Sequence, residues 1–183
     1  MDDNSSGSDV LYSSQLLQTL DYSNAVTSPS KLAKHLVLRP LRCDDYSRGF
    51  LDLLSQLTQV GDIDEKLFNE RFKQMKNNGN YYVTVVEDVT TSRVICSATL
   101  FTEYKFIHNA AMRGRIEDVV VDGEYRGHGL GLLIIETLKL MARSLDCYKL
   151  TLDCRDEMIE WYSRLGFIAV PTRSNMLTIR FDD

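Results

Sequence analysis

The stretch IEDVVVDGEYRGHGLG, residues 116–131, combines a β-branched apolar run with a glycine-rich segment. Residues 119–121 are typical of a buried strand, and the glycines precede a long apolar pattern of helical spacing. That pattern comprises Leu130, Leu133, Ile134, Thr137, Leu138, Met141 and Leu145. Unpaired N–H groups and the positive end of the dipole at a helix N-terminus suit a phosphate. The stretch therefore predicts a strand–turn–helix unit that could hold a phosphate or pyrophosphate.

The glycine spacing narrows the choice of phosphate ligand. Gly127-x-Gly129-x-Gly131 lacks the G-x-x-x-x-G-K-[ST] spacing of a P-loop, and it differs from the G-x-G-x-x-G of dinucleotide folds. The spacing therefore disfavours both a P-loop nucleotide site and a dinucleotide site. Glycines can also serve only to permit a tight strand-to-helix turn, and that alternative stays open at this point.

The rest of the chain alternates strands and helices around this unit. The predicted order is β, α, α, three β, α, β, α, two β, which indicates one α/β domain. Helices are expected from Asp44 to Leu57, from Asp64 to about Gly79, from Leu130 to Leu145 and from Asp156 to Leu165. Strands are expected at 35–39, 81–86, 94–101, 116–121, 148–154, 167–170 and 176–181.

Composition places the chain among ordinary globular proteins. It has 183 residues and a formal net charge of −5, from 21 basic and 26 acidic residues, which disfavours broad electrostatic binding of nucleic acid. No apolar run approaches the roughly 20 residues that span a bilayer, and no secretory or transit signal is visible, so a cytoplasmic location is expected. Scattered cysteines and histidines predict no metal site. Residues 1–34, rich in Ser, Asp and Asn, are expected to be a flexible extension before a domain at 35–183.

Arg126-x-x-Gly129-x-Gly131 resembles the [QR]-x-x-G-x-[GA] signature of the GNAT acetyltransferase superfamily, at the place where that family carries it. The resemblance implies a mixed central β-sheet with helices on both faces and a splay between the two central strands. It implies that the turn binds the pyrophosphate of acetyl-CoA, with no metal, and that one strand runs beside the pantetheine. The implied cofactor residues are Arg126, Gly127, His128, Gly129, Leu130 and Gly131 in the turn, and Val119, Val120 and Val121 in the strand.

Further blocks are similar to a narrower group, the eukaryotic glucosamine-6-phosphate N-acetyltransferases. These blocks are residues 81–88, 105–108, 114–121 and 147–154, and the likeness covers roughly residues 36–183. It implies acetyl transfer from acetyl-CoA to the amine of D-glucosamine 6-phosphate, in a ternary complex, on the pathway to UDP-N-acetylglucosamine. It also implies a homodimer that shares substrate contacts across its interface.

Glu117 and Asp118 are unusual inside an apolar strand, because buried carboxylates without partners carry a desolvation cost. An edge position or a bulge that turns them to water is the alternative to a functional role. By resemblance the pair contacts the amino sugar, and Arg180 binds its 6-phosphate, donated across the dimer. The other implied substrate residues are Thr58, Lys105, His108, Tyr148 and Lys149, each of which could instead be an ordinary capping, surface or packing residue.

Acetyl transfer needs a neutral amine, a stabilised oxyanion and a proton for the departing thiolate. By resemblance, Asp153 orients or deprotonates the amine, backbone N–H groups at 119–121 polarise the carbonyl, and Tyr162 protonates the thiolate. Met158 stands where the family usually has Asn, and Arg155 is also atypical. Two other functions remain open: an acetyltransferase acting on protein amines, and a catalytically silent dimer that binds coenzyme A.

Overall fold

The computed structural model describes residues 9–170 and 178–179, and these fall into two compact units divided after Leu152. The N-terminal unit contains a five-stranded sheet in the order β1-β2-β3-β4-β5. The pairs β1–β2, β2–β3 and β3–β4 are antiparallel, and the pair β4–β5 is parallel. The strands are β1 (Leu36–Pro40), β2 (Tyr81–Asp88), β3 (Arg93–Tyr104), β4 (Met112–Val121) and β5 (Cys147–Thr151).

The α-helices vary widely in length. They are α1 (Gln15–Gln18), α2 (Phe50–Ser55), α3 (Glu65–Asn78), the single turn α4 (Ile107–Ala110), α5 (Leu130–Ser144) and α6 (Ile159–Ser163). Asp64 caps α3 by accepting a hydrogen bond from the Leu67 N–H at 2.7 Å, and Gly79 ends it with φ of 75°. The predicted limits of this helix are confirmed.

Two apolar layers enclose the sheet. On one face, Phe50, Leu53, Phe68 and Phe72 of α2 and α3 pack on Val83, Val85 and Val120. Side chains alternate along a strand, so Val86 and Leu100, which are also fully buried, point to the other face. Helix α5 packs on β3 and β4 through a buried side that includes Leu133, Ile134, Leu138 and Met141. The structure confirms the expected mixed sheet between helices.

The helix predicted from Asp44 to Leu57 is wrong in its continuity. A 3₁₀ turn, Cys43–Arg48, is separated from α2 by Gly49, whose φ of 75° is left-handed. The fully buried Asp45 holds this turn, because its carboxylate accepts hydrogen bonds from the Arg42 N–H at 2.8 Å and from Arg39 Nη2 at 2.7 Å. A 3₁₀ turn held by the Arg39–Asp45 ion pair thus stands in place of the first part of the expected helix.

Part of the expected flexible extension is packed. Val10 forms a bridge with Arg42, and Leu11 is buried in the core with 4 % of its surface exposed. The Tyr12 hydroxyl lies 2.7 Å from Thr84 Oγ1, and the Tyr22 hydroxyl lies 2.8 Å from Thr137 Oγ1 on α5. Residues 10–22 are therefore joined to both the sheet and α5, and the domain boundary expected at residue 34 stays a prediction.

The chain from β5 onward differs from the sequence prediction in its strands. The strand expected at 148–154 ends at Thr151, and residues 167–170 are irregular within the described part of the chain. The strand expected at 176–181 lies almost wholly outside the described residues. The helix expected at 156–165 is a 3₁₀ turn, Asp156–Met158, followed by α6. Across 9–170 and 178–179, no helix has the length and apolarity needed to cross a bilayer.

Candidate active site

The glycine turn connects β4 to α5. Gly127 and Gly129 have φ of 82° and 77°, and a Cβ added at either would meet no atom within 4 Å. Glycine is therefore required by the left-handed backbone and not by crowding. His128 Nδ1 donates to the carbonyl oxygens of Tyr125 and Arg126, at 3.1 Å and 3.0 Å. The first N–H groups of the 15-residue helix α5 have no intrahelical acceptors and can bind an anion.

Asp122 fixes the start of this turn. It is 3 % exposed and accepts hydrogen bonds from the Glu124 N–H at 2.9 Å, Gln56 Nε2 at 3.1 Å and Arg93 Nη2 at 3.2 Å. The middle of the turn is tied to the end of β2, because the Tyr125 hydroxyl donates to Asp88 at 2.7 Å. The turn is thus anchored before any ligand binds.

A β-bulge lies in β4 immediately before the turn. Ser97 of β3 pairs with Val120, and Thr99 of β3 pairs with Glu117. Two residues of β4, Asp118 and Val119, therefore lie opposite the single residue Ala98 of β3. Asp118 has a left-handed φ of 52° and is exposed. The structure therefore contains the bulge that was the alternative to a functional role for these carboxylates, but it places that bulge beside the glycine turn.

The two carboxylates differ in their surroundings. Partial desolvation and the charge of Glu117 raise the pKa of Asp118 above its usual value. Glu117 forms an ion pair with Arg115 on the same strand. A cationic ligand beside Asp118 would favour its charged form, and an ammonium group would meet that requirement.

The sheet opens between β4 and β5. The pairing of β4 with β5 ends at Arg115 and Thr151, whereas β4 continues to Val121. Beyond Arg115, the described residues give β4 no second strand partner. Arg126 Nε donates to the Val121 carbonyl at 3.2 Å, and the backbone groups of Val119 and the Val121 N–H on that side can pair with an extended ligand. This arrangement is the splay expected from the sequence.

A polar cluster lies at the other end of β4 and β5. The His108 ring stacks on Tyr148 with ring centroids 4.4 Å apart, and Lys149 Nζ lies 5.5 Å from the centre of the Tyr148 ring. His108, Asn109 and Ala110 all have left-handed φ, between 52° and 60°. Non-glycine residues seldom adopt this backbone, and such strain concentrates at functional sites.

A chain of polar contacts runs from Lys105 to Arg113 of β4, which lies opposite Lys149 of β5. Glu103 lies 2.7 Å from Lys105 Nζ and 3.2 Å from Arg113 Nη1, and Arg113 Nη2 donates to Thr151 Oγ1 at 2.9 Å. The cluster and these contacts together involve three basic side chains, Lys105, Arg113 and Lys149, and one acidic side chain, Glu103. The excess of positive charge suits an anionic ligand group. The sequence analysis missed Glu103, Arg113, Arg115 and Thr151, although their alternation with apolar residues along the strands was a visible signal.

Four predicted residues are not placed in these clusters. Thr58 follows the end of α2 and is exposed, with its N–H donating to the Leu54 carbonyl at 3.2 Å. Asp153 and Tyr162 belong to the C-terminal unit, which is described by itself. Arg180 lies outside the described residues.

Tyr162 is held by aromatic neighbours within its own unit. Its side of α6 is buried, and its ring makes edge contacts with Trp161 and Phe167, at centroid distances of 4.8 Å and 5.9 Å. Burial raises the pKa of its hydroxyl above the usual value, with a smaller contribution from Cys154. The phenol therefore keeps its proton at neutral pH and can act as an acid.

A separate cavity of about 970 Å³ opens beside α2 and α3. It is lined by residues such as Tyr46, Asp52, Asp62 and Glu70, and by none of the predicted site residues. Its open, mixed lining lacks the converging groups of the glycine turn and the polar cluster.

Comparison with known proteins places this architecture in a class. Residues 43–167 match the model of the acetyltransferase (GNAT) family. The chain belongs to the GNAT acetyltransferase family. Within that family it groups with proteins named glucosamine 6-phosphate N-acetyltransferase.

A relative from Drosophila melanogaster, named probable glucosamine 6-phosphate N-acetyltransferase, is 47 % identical over 94 % of this chain and 82 % of its own length. A Dictyostelium discoideum relative, named glucosamine 6-phosphate N-acetyltransferase 1, is 42 % identical over 70 % of this chain and 82 % of its own. The crystal structure of the Arabidopsis thaliana glucosamine-6-phosphate N-acetyltransferase superposes with a TM-score of 0.76 at 33 % identity, covering 80 % of this chain and 99 % of that one.

Proposed function

We propose that this protein transfers the acetyl group of acetyl-CoA to the amine of D-glucosamine 6-phosphate, producing N-acetyl-D-glucosamine 6-phosphate and coenzyme A. The transfer is direct, within a ternary complex, and supplies UDP-N-acetylglucosamine synthesis. The observation that carries the proposal is the course of β4, which passes from the polar cluster through the bulged carboxylates into the glycine turn. One strand thereby offers groups suited to a sugar phosphate, an amine and a pyrophosphate. The names of the relatives support the same substrate.

The turn and the open edge of β4 fit acetyl-CoA. Backbone N–H groups from Gly127 to Gly131 would bind the pyrophosphate, with the dipole of α5 behind them. The free edge of β4 at Val119 and Val121 would pair with the amides of the pantetheine arm as a strand does. When bound, acetyl-CoA supplies the activated acetyl group, and the chain supplies its position.

The amino sugar would lie across the bulge. Glu117 and Asp118 would bind its ammonium and hydroxyl groups, while Lys105 and Lys149 would attract the 6-phosphate. His108, Tyr148 and Thr58 would complete the pocket. We further propose a cytoplasmic homodimer in which Arg180 of a second copy binds the same phosphate.

The chemistry requires the amine to lose a proton before its lone pair adds to the thioester carbonyl. Asp153 would orient the amine and accept that proton. Backbone N–H groups at Val119 to Val121 would stabilise the negative charge on the carbonyl oxygen. The carbon–sulfur bond then breaks, and Tyr162 would donate its proton to the departing thiolate. The nitrogen loses its second proton as the amide forms, and this proton would restore the phenol of Tyr162 through solvent.

Steady-state assays test the proposal by comparing three acceptors: glucosamine 6-phosphate, free glucosamine and a lysine peptide. We expect release of coenzyme A with a strong preference for the phosphorylated sugar. A preference for the peptide would support a protein acetyltransferase. Absence of coenzyme A release with all three acceptors would indicate a silent coenzyme A-binding dimer. Light scattering of the purified protein tests the dimer.

A further inference from the structure

One side chain joins the end of α2 to the start of the cofactor turn. Gln56 Nε2 donates to Asp122 Oδ2 at 3.1 Å, and Gln56 Oε1 accepts from the Gly123 N–H at 2.9 Å. A single amide thus makes two hydrogen bonds of opposite direction to consecutive residues. Such a paired contact fixes orientation as well as distance, because both groups of the planar amide are engaged.

The two ends of this connection carry different parts of the proposed site. Gln56 is the C-cap residue of α2, and Thr58 follows two residues later. Asp122 directly follows β4, and its N–H donates to the Ile95 carbonyl at 2.9 Å, so its backbone is held on the central sheet. The amide of Gln56 therefore connects the segment that contains Thr58, a proposed sugar-phosphate ligand, to the first residues of the turn that would bind the pyrophosphate.

The anchor on the turn side is firm. Asp122 is 3 % exposed and also accepts from the Glu124 N–H and Arg93, whereas Gln56 is exposed. Without the amide of Gln56, Asp122 would keep its other partners, but the Gly123 N–H at the start of the turn would lose its acceptor. The end of α2 would lose its contact with residues 122 and 123. The contact therefore affects the relation between the two segments more than the fold of either.

We propose that Gln56 is a positioning residue that fixes the segment of Thr58 relative to the glycine turn, and so aligns the amino sugar with the thioester. This inference rests on the proposed function. Reactions between two bound substrates depend steeply on their mutual placement. Loss of the amide should therefore raise the KM for both substrates and lower kcat, whereas Thr58→Val should raise only the KM for the sugar.

A charge exchange gives the sharpest test. Gln56→Glu places a carboxylate against Asp122, which removes the donor and adds repulsion. Asp122→Asn alone removes the oxygen that accepts from both Gln56 Nε2 and Arg93 Nη2. The double variant Q56E/D122N keeps the net charge of the pair and reverses the bond. The new amide at position 122 can donate to the new carboxylate at position 56, which still accepts from the Gly123 N–H.

The experiment measures acetyl-CoA affinity by calorimetry and kinetics with both substrates in the full chain. We expect Gln56→Glu and Gln56→Met to raise the Kd for acetyl-CoA and to lower kcat/KM by about tenfold. We expect Q56E/D122N to recover to within about threefold of the parent. Gln59→Met, an exposed glutamine on the same segment, is the matched control and should behave as the parent does.

Two outcomes would overturn the inference. One is parental Kd and KM values for Gln56→Met and Gln56→Glu. The other is a double variant whose Kd for acetyl-CoA and kcat/KM are no closer to the parental values than those of the more impaired single variant. An inactive parent that still binds acetyl-CoA would overturn the proposed function alone, because the expected changes in Kd need no sugar. Thermal unfolding of each variant shows whether a change in affinity reflects loss of the folded state.

Discussion

Tyr125 donates the hydrogen of its hydroxyl to Asp88 Oδ2 across 2.7 Å, and this bond ties the cofactor turn to the end of β2. Asp88 is 3 % exposed and also accepts from Thr90, through Oγ1 at 2.6 Å and N–H at 2.9 Å. These hydrogen bonds, those from Thr90 first, lower the pKa of Asp88 to about 2. The turn therefore depends on a carboxylate that is charged in the folded protein.

The first prediction concerns acid stability. A carboxyl group whose pKa is depressed by folding contributes stability above its unfolded pKa of about 4, and that contribution is lost as pH falls towards 2. Tyr125→Phe should lower the free energy of unfolding by about 1.5 kcal/mol at pH 7, and by much less at pH 2. Urea unfolding at both pH values measures the difference. An equal decrease in the free energy of unfolding at pH 7 and pH 2 would contradict the inference that Asp88 is charged in the folded protein.

The second prediction concerns the proposed proton donor. Tyr162→Phe should lower kcat at least about tenfold, a change of roughly 1.4 kcal/mol in the barrier, because the thiolate would leave without its acid. The Kd for acetyl-CoA, measured by calorimetry, should be retained. Tyr12→Phe is the matched control, since it removes a buried hydroxyl hydrogen bond to Thr84 and should leave kcat unchanged. Unaltered turnover in Tyr162→Phe would exclude this tyrosine from the chemistry.

The third prediction separates backbone strain from ligand binding at glycine. Gly129 and Gly79 have φ of 77° and 75°, and both would accept a Cβ without a steric contact. Alanine at either position should cost about 1–2 kcal/mol of folding free energy, because both require the left-handed region. Only Gly129→Ala should also weaken acetyl-CoA binding, since only Gly129 shapes the turn before α5. Calorimetry on both variants decides, and equal affinities would remove the turn from the proposed site.

The fourth prediction concerns the packed part of the N-terminal segment. Leu11 is 4 % exposed in the core, whereas Val26 is 56 % exposed. Leu11→Ala should lower the free energy of unfolding by about 2–5 kcal/mol, because it leaves a cavity beneath the sheet. Val26→Ala, the control, should change it by less than about 0.5 kcal/mol. Similar free energies of unfolding for the two variants would indicate that this segment is the flexible extension expected from its composition.

Local signals in the sequence were sufficient for part of the fold. Asp64 and Gly79 delimited α3 because capping chemistry acts within a few residues of each helix end. The glycine turn was also predicted, since its left-handed residues can be read from their identity. Gly49 carried a comparable signal, but the apolar spacing from Tyr46 to Leu57 obscured the break that it makes.

Other features depend on contacts between residues distant in sequence. Tyr12 and Tyr22 reach Thr84 and Thr137, so the polar composition of their segment gave no sign of its packing. The two carboxylates in the apolar strand raised a bulge as one alternative, but the register between β3 and β4, which no pattern within β4 encodes, decides that it forms at Asp118. The connection from Gln56 to Asp122 crosses 66 residues of sequence and escaped prediction for the same reason.

The length of β4 beyond its pairing with β5 has a consequence for solubility. Among the described residues, the stretch after Arg115 forms an open sheet edge, and such edges are templates on which other chains can add. The irregular backbone at Asp118 and the adjacent negative charges interrupt that template. The same two carboxylates that would bind an amine therefore also make this edge a poor template for another strand.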